Sequence, residues 1–276
     1  MAPLGRRRFR QLAASVGAAT AAGCDTEPPG RGLVAERRAL AVPGLSPAHD
    51  GLRVAQLSDL HLGLLTPESL VRDAIACANA FQPDLVVLTG DYLTRLHVVH
   101  TTTDPRRITE QLGGLAAPTV ATLGNHDWMS DAAGAVAALE GLGYAVLRNE
   151  NTTLALRGEP FTVVGIDDAS THHDDVARAV RGARRGSRLH LAHVPDTVHA
   201  LLRLADGPAL LLSGHTHGGQ VNVPPFSSRF RYRAGPYQVG RVLLYVNRGV
   251  GMSWAPMRIN APPEVTLLTL RAGGAA

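Results

Sequence analysis

The 276-residue sequence contains no lysine: all 27 of its basic side chains are arginine. A chain without lysine has no Walker A phosphate loop, no kinase-type catalytic lysine and no Schiff-base lysine. Its two cysteines, Cys24 and Cys77, are too few for a four-thiolate zinc site, an iron–sulfur cluster or a disulfide-stapled scaffold. Charged residues are scarce at 18%, against 45% apolar, which excludes a disordered polyelectrolyte and suits one large globular domain or two small ones. The formal net charge is +4, yet Arg6, Arg7, Arg8 and Arg10 lie in an acid-free stretch, residues 1–23, that holds the whole excess. The remainder is formally neutral, so no nucleic-acid-binding surface is evident.

The run Arg6-Arg7-Arg8-Phe9-Arg10, an apolar stretch from Leu12 to Ala22 and then Gly23-Cys24 follow the layout of a signal peptide, too short to span a bilayer. Arg6-Arg7-x-Phe9 resembles a twin-arginine signal, and Ala21-Ala22-Gly23-Cys24 resembles a lipobox. Residues 1–23 are thus expected to direct export, with Cys24 the acylated first residue of a membrane-anchored lipoprotein on the extracytoplasmic side. Residues 24–50, rich in proline and glycine, read as a tether into a domain over 51–272.

From Leu52 onward short β-rich runs alternate with Ala/Leu-rich helical stretches, an α/β pattern. Strands are predicted at Arg53–Ser58, Asp84–Thr89 and Thr119–Leu123, then near 152–156, 161–166, 188–193, 209–213, 242–247 and 264–270. Helices are predicted over 67–81, near 106–114 and over 131–142. Thr66 is placed to cap the first, and Cys77 falls in its apolar stripe. The stretch Val223–Gly240 interleaves arginine with aromatic residues, a composition that suits an anionic substrate, a membrane surface or a packed excursion.

Five polar clusters follow predicted strands: Asp59-Leu60-His61, Gly90-Asp91, Gly124-Asn125-His126-Asp127, His193 and Gly214-His215-Thr216-His217. Side chains two apart on an extended chain share a face, which pairs Asp59 with His61 and His215 with His217. Carboxylate, imidazole and amide oxygen form a ligand set for Mn, Fe, Zn or Ni, and the lack of thiolate disfavours structural zinc. Seven candidates exceed the four to six ligands of one ion, whereas two ions sharing a carboxylate use them all.

These clusters, in this order and spacing, resemble the calcineurin-like metallophosphoesterases. The runs Leu191–Asp196, Gly214–Gln220, Asn247-Arg248-Gly249-Val250-Gly251 and Pro262-Pro263-Glu264 look like the YkuE-like branch, which includes exported phosphoesterases. The resemblance covers Leu52 to Leu270 and implies a four-layer αββα sandwich. It further implies two divalent ions, one held by Asp59, His61 and His217, the other by Asn125, His193 and His215, with Asp91 bridging. His126 would face the substrate, Asp127 would orient His126, and a metal-bridging hydroxide would attack phosphorus. Expected substrates are phosphodiesters of lipid, cell-wall or nucleotide type. Thr94 stands where purple acid phosphatases place a tyrosine, which argues against a ferric–tyrosinate centre, and Arg95 falls where phosphoprotein phosphatases place an arginine. Gly90, Gly124 and Gly214 are expected to allow sharp turns.

Two other classes compete. Gly251-Met252-Ser253-Trp254-Ala255 approaches a serine-hydrolase elbow but lacks its final glycine and leaves the five clusters unexplained. An exported metal-binding or cell-wall-associated protein without turnover would use the same ligands, but has no need of His126. A dinucleotide site finds no support, because Gly141-Leu142-Gly143-Tyr144-Ala145-Val146 ends in valine.

Overall fold

The segments Leu85–Thr89, Thr119–Thr122 and Ala209–Ser213 are buried at every position, so both of their faces need cover. In the computed structural model, which describes residues 32–96, 101–204, 206–207, 209–223 and 230–273, two six-stranded sheets supply it. The strands are β1 (Val34–Pro43), β2 (Leu52–Leu57), β3 (Leu85–Thr89), β4 (Arg95–Leu96), β5 (Thr101–Thr102), β6 (Thr119–Thr122), β7 (Ala145–Val146), β8 (Glu150–Leu156), β9 (Glu159–Ile166), β10 (Arg188–Ala192), β11 (Ala209–Ser213), β12 (Gly235–Val239), β13 (Val242–Val246) and β14 (Glu264–Gly273). The first sheet runs β1-β14-β2-β3-β6-β7 and the second β12-β13-β11-β10-β9-β8, while β4 and β5 form a small ladder.

Side-chain parity sorts the core into layers. Val54, Leu85, Val87 and Leu268 of the first sheet meet Phe161, Val163, Leu191 and Leu212 of the second. On the outer face of the first sheet, Leu57, Val86, Leu88 and Leu267 pack against Leu70, Val71 and Ala74 of α1 (Glu68–Ala80), Leu112 of α2 (Arg106–Leu112) and Leu139 of α4 (Ala132–Gly141). Between α2 and α4 in the chain lies α3 (Asn125–Ser130). The second sheet is covered by α5 (Val176–Val180) and α6 (Val198–Leu204), through Val176, Ala179, Val198 and Leu201. The result is a four-layer αββα sandwich.

Three local expectations are corrected. Residues 34–43 do not form a tether: they make β1, paired along its length with β14 in parallel register. The short turn Pro47–His49 then buries His49, whose ring bonds Ser187 and the Leu156 carbonyl. Thr66 does not cap α1, because its hydroxyl accepts the Met252 N–H instead. Cys77 is partly buried against the helix-side core. The expected signal peptide over 1–23, the expected acylation site Cys24 and residues 224–229 of the arginine–aromatic stretch lie outside the described residues. Among the described residues, no helix is long and apolar enough to cross a membrane.

Candidate metal centre

Each polar cluster begins where a strand stops. Asp59 and His61 follow β2, Asp91 follows β3, Asn125 opens α3 behind β6, His193 follows β10, and His215 and His217 follow β11. Strands β2, β3 and β6 are parallel neighbours, as are β10 and β11, so their carboxyl ends lie together, where open α/β sheets build sites. Bonds between the sheets lock these ends. The His215 N–H donates to both Asp59 oxygens, at 3.1 and 3.0 Å. Nδ1 of His193 meets the Thr89 carbonyl at 2.8 Å, which turns its Nε2 inward.

The seven predicted ligand residues come together in two groups. In one, Nε2 of His217 lies 3.0 Å from Nε2 of His61 and 3.3 Å from Asp59. In the other, Oδ1 of Asn125 lies 2.9 Å from Nδ1 of His215 and 3.2 Å from Nε2 of His193. Asp91 stands between them, with Oδ2 3.5 Å from His61 Nε2 and 3.3 Å from His193 Nε2. Ring nitrogens so crowded, with carboxylates beside them, suit a cation better than they suit each other. The donor set fits divalent ions.

Electrostatics agree with that fit. Burial lowers His61 to about 3 and His215 to about 4, and it holds His217 well below the usual histidine range. All three therefore present neutral imidazoles, the form that binds metal. His193 differs: burial opposes its charge, but Asp91 outweighs that and pushes it up to about 10. Burial, seconded by the Asp91 charge, raises Asp59 to about 6.

His126 is half-buried beside the groups, its ring edge-on to His61 at 4.7 Å between centroids. One of its nitrogens lies within 4.8 Å of ligand atoms of His61 and Asp91. Its Nδ1 accepts the Arg95 N–H at 3.4 Å, so a neutral ring carries its proton on Nε2. Asp127 does not orient His126. Its carboxylate accepts the backbone N–H groups of Asp91, Tyr92, Leu93 and Gly124, each at 2.9 Å. It thereby fixes the turn carrying Asp91 to the start of α3. Burial and the Asp91 charge raise its pKa to about 7, against four donors that favour the ionised form.

Several contributors escaped the sequence reading. Arg258, half-buried, donates to the carbonyls of Gly251, His217, Arg248 and Ala261 and reaches Nδ1 of His217 at 3.0 Å. A lone arginine carries no motif to announce this. Asp168, buried after β9, makes its charge felt at His193 and His215. The Asn247–Gly251 run, noted for its likeness alone, gains a reason: a Cβ on Gly249 would stand 2.6 Å from that of Asp59, and the Gly251 N–H donates to the Asp59 carbonyl at 2.7 Å. Gly90 needs its positive φ of 91°, as expected. Gly124 and Gly214 serve instead for space, since side chains there would strike Asp91 and the Ser58–Asp59 pair. Ser253 bonds Gln220 and, among the described residues, meets no triad base, which leaves the serine-hydrolase reading without support.

The family model described as calcineurin-like phosphoesterase matches residues 52–219. This chain is a calcineurin-like metallophosphoesterase. As such it is a metal-dependent phosphoric ester hydrolase of a family that uses divalent metals. The phosphoesterase is 34% identical over 239 residues to an uncharacterized metallophosphoesterase of Bacillus subtilis, YkuE, covering 80% of each chain. It is 34% identical to the phosphodiesterase YaeI of Escherichia coli, over 97% of this chain and 99% of the relative. A UDP-2,3-diacylglucosamine pyrophosphatase of Chlamydia trachomatis, LpxG, is 27% identical over 79% of this chain and 83% of its own. The two 34% matches place the phosphoesterase in the YkuE-like branch.

Proposed function

We propose that the chain is a dinuclear phosphodiesterase that works outside the cytoplasm on phosphodiesters of lipid, cell-wall or nucleotide type. The observation that carries the dinuclear reading is Asp91, whose Oδ2 lies within 3.5 Å of His61 in one group and His193 in the other. Asp59, His61 and His217 would hold one ion, Asn125, His193 and His215 the second, and Asp91 both. Bound there, two divalent ions supply Lewis acidity and an acidified water for attack on phosphorus. The name of the E. coli relative supports diester preference. The arginine pair, apolar run and Cys24 of the N-terminal segment support export and lipid anchoring.

The chain's own residues then have distinct tasks. His126 takes a second proton on Nδ1, in place of the Arg95 contact, and as the imidazolium gives its Nε2 proton to the leaving oxygen and ends as a neutral ring, while its backbone N–H holds Asp91 Oδ1 at 2.8 Å. Asp127 and Arg258 position the ligand-bearing turns. The test is kcat for wild type and His126→Ala over diesters of graded leaving-group pKa, with metal content measured on the same samples. A general acid predicts a loss of roughly 10²–10⁴-fold that shrinks for nitrophenol esters, with metals retained. A uniform loss would assign His126 to charge stabilisation of the phosphoryl oxygens. Loss of metals with activity would make it a ligand.

A further inference from the structure

Six large apolar side chains are exposed among the described residues, and five of them ring the metal centre. Leu64, 76% exposed, sits on the loop after His61; Trp254, 67% exposed, Met257 and Ile259 sit on the loop after Asn247; Phe230 packs edge-on to His215. Hydrogen bonds join these loops into one rim. The Met252 N–H donates to Thr66, and Gln220, three residues past His217, bonds the Ala255 carbonyl and receives the Ile259 N–H on its own carbonyl. The stretch that carries four of these five side chains is cationic in sequence, although Arg241 lies at the far end of β13 and Arg258 turns inward. From Gly207 to Pro263 the sequence carries six arginines and no aspartate or glutamate.

We propose that this rim seats the enzyme on an anionic lipid bilayer, so that the metal centre takes phosphodiesters borne by membrane lipids. An exposed tryptophan flanked by Leu, Met and Ile suits the headgroup–acyl boundary, and arginines suit anionic headgroups. Of the five, Trp254 and Phe230 offer a face for base stacking but Leu64, Met257 and Ile259 do not, a mixture that favours a bilayer over a nucleic acid. The course of the chain agrees. The Val34 N–H donates to the Pro263 carbonyl at 2.8 Å, so the described chain enters beside the rim. Ten residues of chain reach at most about 36 Å, so an acyl group on Cys24 would hold this same end to the membrane. The substrate assignment rests on the phosphodiesterase reading above; the seating does not.

The test uses the full chain with Cys24→Ala, so that no acyl group supplies binding, and vesicles of phosphatidylglycerol and phosphatidylcholine or of phosphatidylcholine alone. Binding to the anionic vesicles should be at least about tenfold tighter, persist in chelator and shift tryptophan emission to the blue. Combining Leu64→Ser, Trp254→Ser and Met257→Ser should weaken it at least about tenfold. Hydrolysis of vesicle-borne phosphatidylglycerol should fall in step, while hydrolysis of soluble bis(p-nitrophenyl) phosphate stays unchanged. Absent vesicle binding, binding indifferent to the three substitutions, or tighter binding to an oligonucleotide than to vesicles would overturn the seating. Failure of metal-loaded wild type to cleave the soluble diester would instead count against the phosphodiesterase reading, with the vesicle result standing by itself.

Discussion

The bodies of the strands and their carboxyl ends obey different rules. Strand β3 is buried at all five positions, as is β11, and each holds a run of aliphatic residues. One residue further, the chain turns polar and enters unusual backbone. Eleven non-glycine residues among those described have positive φ, and Asp59, His61, Asp91, His215 and His217 are five of them, with φ from 44° to 71°. Such conformations cost about 1–2 kcal/mol each for an ordinary side chain. They persist where the surroundings over-determine them. Here the surroundings are Asp127 with its four N–H donors, Arg258 with its four carbonyl acceptors, and glycines that let neighbouring turns press close. The strand bodies supply the stability on which the ends draw.

The sharpest way to break this division is Asp91→Ala. It removes the carboxylate that stands within 3.5 Å of both groups, and should cost more metal and activity than any other single replacement, exceeding the 10–100-fold typical of supporting residues. Metal binding and diester hydrolysis measured together check this. His126→Ala comes next, with its 10²–10⁴-fold loss in kcat and an unchanged metal content. Asp127→Asn tests positioning alone: an amide replaces one acceptor oxygen with a donor that confronts N–H groups. It should cost about 2–3 kcal/mol in denaturant unfolding and 10–100-fold in metal affinity, with little change in kcat once metal saturates.

A pH series gives a smaller but signed effect. Because Asp91 holds the His193 proton with a pKa of about 10, a metal must displace that proton at any lower pH. Affinity should therefore rise by about tenfold per pH unit from pH 6 to 8, beyond any hydrolysis of the metal itself. A flat profile would mean that His193 is already neutral. The smallest effect lies far from the site. Gln82, at φ 49° just beyond α1, adopts the left-handed conformation at a position where helices favour glycine. Gln82→Gly should stabilise the fold by up to about 1 kcal/mol without touching activity, which unfolding and kinetic measurements report separately.

Sequence periodicity and turn chemistry locate most of the strands and helices α1, α2 and α4 within a few residues, because each apolar run ends in a polar cluster, but they miss α6. They fail at β1, whose Ala-Glu-Arg-Arg-Ala stretch is charged and mostly exposed. A sheet edge held by parallel pairing to β14 needs no apolar alternation, so nothing in its composition marks it as a strand. Helix α5, five residues long, is too short for a period to show. The candidate ligands are legible because chemistry demands particular side chains at particular strand ends. Arg258 and Asp168 act through position, which only the fold creates. Asp127 shows the limit between the two cases: its place beside His126 suggests a partnership, yet its carboxylate faces backbone N–H groups instead.

The central claim is that the strand ends form one bridged centre for two ions. Metal content of purified protein, titrated with manganese and with zinc, addresses it directly in wild type and in Asp91→Ala. The account predicts about two ions per chain in wild type, with both sites weakened together in the variant. Saturation at a single ion per chain under metal excess, or an Asp91→Ala protein that still holds two ions tightly, would contradict it.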